Sequence, residues 1–135
     1  MKRTILICCL NREELSAIKQ ILSTTKINLK QTANLRECLV TAKAQKYNAI
    51  IIDVNLLHRG NTINLELLRR LTDLIPVIIL AGRESKGTER TIRQEKIFYY
   101  LLKPIDEKEL IGVISQAVEW DGFIAGLNKI SVRDM

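Results

Sequence analysis

The chain has 135 residues, 47% of them hydrophobic and 27% charged, with a net charge of +6, the size and balance of one ordinary domain. No apolar stretch approaches the ~20 residues of a membrane span, and Met1-Lys2-Arg3 leads into too short an apolar run for a secretion signal. The three cysteines, Cys8, Cys9 and Cys38, have neither disulfide-framework nor metal-site spacing, so a secreted scaffold and a zinc module are excluded and a reducing cytoplasm is expected.

The first predicted strand is Thr4–Leu10, a continuous apolar run. Asn11 then stands as a helix N-cap with Glu14 three residues on, a capping-box pair. Leu15, Ile18, Ile21 and Leu22 recur at helical spacing, which predicts a helix over 12–23. Ile27 to Thr32 alternates apolar and polar residues, as a strand near a sheet edge does. The cap pattern repeats at Asn34 and Glu37, followed by a second helix on Leu35, Cys38, Leu39 and Ala42.

The central stretch is Tyr47-Asn48-Ala49-Ile50-Ile51-Ile52-Asp53-Val54-Asn55. An apolar run without alternation predicts a strand, 48–54, buried on both faces in a parallel sheet. Asp53 ends that run, where a cap or turn residue would also sit. Residues 55–62 are polar, contain Gly60 and predict a loop, with His58 as a solvated residue in it. Leu65, Leu67, Leu68, Leu71 and Leu74 predict a third helix stopped by Pro76. Val77–Leu80 is the fourth strand and runs into Ala81-Gly82. Residues 86–96 have Ile92 as their one large apolar residue, so a short or mobile helix is expected there. Ile97–Leu102 is the fifth strand, ending in Lys103-Pro104. Asp106 and Glu109 open a last helix on Leu110, Val113, Ile114, Ala117 and Val118. The stretch 121–135, with Phe123, Ile124, Leu127 and Ile130, is expected to be an extension or linker to a domain over 1–120.

Five strands alternating with five helices predict an α/β, flavodoxin-like three-layer sandwich. The most apolar strands are the first, third and fourth, which the parallel order 2-1-3-4-5 places inside. That order brings Cys9, Leu10, Asp53, Ala81 and Lys103 to one rim.

At this rim the chain resembles the receiver domain of bacterial response regulators, over about residues 3–120. The resemblance rests on the strand spacing, on Asp53, on Pro76-Val77-Ile78-Ile79-Leu80 and on Tyr100-Leu101-Leu102-Lys103-Pro104-Ile105. It implies a signal-transduction module of two-component systems or phosphorelays. In such a module Asp53 is the phosphoacceptor-like residue, Lys103 neutralises the phosphoryl group and Tyr100 is the switch aromatic. Two departures alter that expectation. The acidic pair that holds Mg²⁺ falls on Cys9 and Leu10, and the Ser or Thr ending strand four falls on Ala81. Mg²⁺ requires hard oxygen ligands, and Asp53 with the backbone carbonyl of Asn55 is the only set on offer. No cofactor is therefore expected, and Mg²⁺ binding is expected to be weak or absent.

The chain is thus read as an atypical receiver that works by protein–protein contact and is not an enzyme. One alternative is a weakly phosphorylated receiver using Asp53, and another is a small-molecule binder at the rim. Arg83, Lys86, Arg90, Arg93 and Lys96, with Phe98 and Tyr100 projecting together from strand five, form the candidate partner surface. The expected partner is a sensor kinase, an output domain or another regulator, with a homodimer as a further option. The basic residues are scattered, so direct nucleic-acid binding is not expected, nor is membrane contact.

Overall fold

The computed structural model describes residues 3–9, 11–60, 62–82 and 86–127. Leu10, Arg83 and the stretch beyond Leu127 lie outside the described residues, as do the side chains of Arg59, Lys86 and residues 120–127, Phe123, Ile124 and Leu127 among them.

The elements alternate along the chain as β1 (Arg3–Cys8), α1 (Arg12–Leu22), β2 (Ile27–Thr32), α2 (Leu35–Ala44), β3 (Ala49–Asp53), α3 (Leu65–Thr72), β4 (Val77–Ala81), α4 (Lys86–Arg93), β5 (Tyr99–Leu102) and α5 (Glu107–Leu127). The strands form one parallel sheet in the order β2-β1-β3-β4-β5. This is the order read from their hydrophobicity. All five residues of β3 and all five of β4 are buried, while β2 at the edge alternates.

Successive side chains of a strand face opposite sides, and the core divides accordingly. Leu6, Cys8, Ile50, Ile52, Val77 and Ile79 pack under α2, α3 and α4. Ile5, Ile7, Ala49, Ile51, Ile78 and Leu80 pack under α1 and α5. Each buried Ile or Leu side chain contributes roughly 1.5–3 kcal/mol relative to exposure. Cys8 and Cys38 are both buried within the first of these layers.

The helix starts follow the Asn residues of the sequence. Asn11 accepts from Glu14 N at 3.0 Å, Asn34 from Glu37 N at 2.8 Å, and Asn64 from Leu67 N at 3.2 Å. At α2 the Glu37 carboxylate also reaches back to Ala33 N. At α1 the Glu14 carboxylate turns elsewhere. α4 has eight residues and drives one large apolar side chain, Ile92, fully into the core.

The stretch predicted as a loop over 55–62 is more ordered than expected. A 3₁₀ turn occupies Val54–Leu57, and His58–Arg59 pairs antiparallel with Thr62–Ile63. Gly60, at φ 58°, makes the reversal in the left-handed region that glycine enters without strain. His58 is therefore a hairpin residue opposite Ile63, partly buried rather than free in solvent. Helix α5 continues through Leu127, and no described helix is long and apolar enough to cross a membrane.

Candidate functional site at the sheet rim

The carboxyl ends of β1, β3, β4 and β5 bring the site together. Asp53 closes β3 and is 4% exposed. A carboxylate this deep must be compensated or it destabilises the fold. Both of its oxygens are engaged. Oδ1 accepts from Asn55 N at 2.9 Å, which caps the 3₁₀ turn, and Oδ2 accepts from Lys103 Nζ at 3.1 Å. The local role of Asp53 as a turn cap and its rim role as an ion-pair partner are thus both real.

Lys103 arrives from the end of β5. Its backbone N–H donates to Ala81 O at 2.8 Å, which fixes it against the end of β4. Its ammonium lies 2.7 Å from Glu14 Oε1 as well as 3.1 Å from Asp53. Burial alone would pull the ammonium down, but the hydrogen bonds to Glu14 and Asp53 outweigh it and hold Lys103 above the ordinary lysine value.

Glu14 is the residue whose place in the site its sequence context concealed. Its position in a capping box accounted for it locally, and Asp53 was expected to be the only carboxylate at the rim. In fact the Glu14 carboxylate leaves the cap and points from the first turn of α1 at Lys103. Cys9 lies beneath both acids. Its buried Sγ is 3.7 Å from Glu14 Oε2, 3.9 Å from Asp53 Oδ2 and 3.7 Å from Asn11 O. The ligand atoms of Cys9, Glu14 and Asp53 all fall within 4.8 Å of one another. Above them opens a cavity of about 330 Å³ lined by Asn11, Glu14, Asp53, Asn55, Leu56 and Lys103.

Burial pushes the Cys9 thiol up to about 11, with the two neighbouring carboxylates adding to it against the hydrogen bond to Asn11. The thiol is thus neutral at physiological pH. The folded value lies above the ordinary thiol value of 9.0, so the unfolded chain releases this proton first as pH rises. The Cys9 contribution to stability is complete below about pH 9 and is lost through about pH 11. Urea unfolding of wild type and Cys9→Ala should therefore converge across that window; parallel curves would remove Cys9 as the titrating group.

Ala81 is buried at the end of β4, in the same layer as Tyr100. Tyr100 is 7% exposed, and the Arg93 guanidinium sits 4.9 Å from its ring centroid. Arg93 also pairs with Glu89 at 3.0 Å. This corrects the expected aromatic patch. Phe98 and Tyr99 pack towards the α1–α5 layer and Tyr100 towards the other, so Phe98 and Tyr100 do not share a face. Of the basic residues proposed for that surface, Arg90, Arg93 and Lys96 are exposed.

The family model described as the response regulator receiver domain matches residues 5–115 of the chain. No curated protein matches the sequence. Among solved structures, the signal receiver domain of an HD domain-containing protein from Pseudomonas fluorescens Pf-5 is 22% identical, with a TM-score of 0.79 and 93% of each chain covered. A receiver domain protein from Clostridium thermocellum is 20% identical, with a TM-score of 0.74, covering 90% of this chain and 98% of that one. The receiver domain of a sensor histidine kinase from Pseudomonas aeruginosa PAO1 is 20% identical, with a TM-score of 0.74, covering 88% and 99%. That structure has a magnesium ion coordinated in its active-site cleft.

Proposed function

Because this chain belongs to the response regulator receiver domain family, we infer that it is a two-component signalling module of atypical kind, which acts through protein contacts without the usual Mg²⁺-dependent phosphorylation at Asp53. The observation that carries this reading is the Lys103 ammonium lying between Glu14 and Asp53. A cation already occupies the space between the two rim carboxylates. Beneath it, Cys9 presents a neutral thiol where Mg²⁺ would need an oxygen. Magnesium therefore does not fit these residues as they stand, and phosphoryl transfer leans on metal charge and positioning. Ala81 offers no hydroxyl to a phosphoryl oxygen. We read the domain as a non-enzyme, since its rim thiol is protonated and its rim carboxylates are tied to Lys103.

The partner is a protein, such as a sensor kinase, an output domain or another regulator, and the exposed Arg90, Arg93 and Lys96 supply a basic surface for it. A second copy of the chain is the alternative occupant. A second reading, weak phosphorylation of Asp53, is favoured by the rim cavity that Asp53 lines.

Beryllofluoride with Mg²⁺, a phosphoryl mimic, separates the two readings. Titrated into ¹⁵N-labelled protein, it should leave the amides of Asp53, Asn55 and Tyr100 unmoved. Saturable shifts at those residues would reject the metal-free reading in favour of the phosphorylated one.

A further inference from the structure

We propose that Glu14 is an internal latch: its carboxylate occupies the face of Lys103 that an anion entering the rim cavity would need, and so closes the site to phosphate-like ligands. The proposal rests on the metal-free reading above and extends it from the missing metal to the occupied anion position.

Three observations carry it. First, the contact from Lys103 to Glu14, 2.7 Å, is shorter than its contact to Asp53, 3.1 Å, and Asp53 is needed for the turn cap in any case. Second, Glu14, Asp53 and Lys103 all line the one rim cavity, so the latch lies in the path of an incoming ligand. Third, Glu14 can be released without unmaking α1. The helix cap uses its backbone N–H, which donates to Asn11 Oδ1, and not its carboxylate.

An ammonium has three N–H donors and one positive charge. Here two carboxylates draw on that charge, leaving the three groups with a formal net charge of −1. Such a rim repels phosphate. With Glu14 replaced by Gln, the same groups sum to zero, and the neutral amide oxygen holds Lys103 less firmly than the carboxylate does.

The test titrates inorganic phosphate, without Mg²⁺, into ¹⁵N-labelled full chain and follows the amides of Asp53, Asn55 and Lys103. Four proteins are compared: wild type, Glu14→Gln, Glu14→Asp and Glu13→Gln. Glu14→Asp keeps the charge but is one methylene too short to hold Lys103, and it serves if Glu14→Gln folds poorly. Glu13 is an exposed neighbour, so Glu13→Gln makes the same change in net charge without touching Lys103. Phosphate affinity should rise at least tenfold in Glu14→Gln and measurably in Glu14→Asp, and Glu13→Gln should match wild type. Equal affinity in wild type and both Glu14 variants, including no binding in any of them, overturns the latch. A rise in Glu13→Gln equal to that in Glu14→Gln overturns it too, since net charge would then account for the effect. The titration involves neither metal nor phosphoryl transfer. A wild type that answers Mg²⁺ with beryllofluoride while the Glu14 variants still gain phosphate without metal would reject the metal-free reading and confine the latch to the metal-free site.

Discussion

Replacing Lys103 by Met should destabilise the domain by roughly 2–4 kcal/mol. Breaking a buried ion pair from one side costs about 3–5 kcal/mol because the remaining charge is stranded. Lys103 keeps 20% of its side chain exposed and Glu14 21%, against 6% for Asp53, so water recovers part of that cost. Methionine preserves the length and packing of the stem, which leaves charge as the variable. Equilibrium urea unfolding measures the loss. The origin is tested by adding Asp53→Asn, which retains an oxygen for the Asn55 cap but removes the more deeply buried of the two stranded charges. The double variant should be more stable than the sum of the two single losses predicts. Strict additivity would mean that the two residues stabilise the fold independently and that the rim ion pair is not a unit.

The second large effect concerns the position under the two acids. Cys9→Asp places a third carboxylate in a buried position beside Asp53 and Glu14, with Lys103, among the described residues, the one ammonium that faces them. In metal-free buffer this should cost about 2–4 kcal/mol, near the range for an uncompensated buried charge. The same substitution supplies the hard oxygen that a thiol cannot. Added Mg²⁺ should then restore stability, by about 2.7 kcal/mol at a hundred times its dissociation constant. Thermal unfolding of wild type should be indifferent to Mg²⁺, whereas that of Cys9→Asp should shift upward with it. A variant that folds but ignores Mg²⁺ would show that more than one oxygen separates this rim from a metal site.

Much of this arrangement was legible in the sequence because its parts announce themselves locally. An unbroken Ala-Ile run followed by Asp53 marks a buried central strand and its rim. The Tyr-x-x-Lys-Pro pattern marks the end of the last strand. Strand order followed from which runs alternate and which do not, since burial on one or both faces writes itself into hydrophobicity. The rest was hidden for identifiable reasons. Glu14 carries a complete local explanation as a capping residue, and nothing in its neighbours says that its carboxylate will turn to a lysine eighty-nine residues away (103 minus 14). The hairpin at His58–Arg59 has strands of two residues, too short to express any period. Phe98 and Tyr100 are two apart, so strand alternation placed them together, but the strand begins at Tyr99 and Phe98 stands before its pleat.

Asp53 divides its two oxygens between different parts of the chain. One secures the turn that leads into the hairpin and α3, and the other secures the end of β5. The residue is therefore a junction with no spare arm. Any covalent group placed on it must take an oxygen from one of these two ties. Esterification at Oδ2 would leave Lys103 to Glu14 alone and the turn intact, whereas esterification at Oδ1 would loosen the turn and leave Oδ2 as a neutral acceptor for Lys103. The side of the carboxylate that reacts would thus decide which of the two ties is lost.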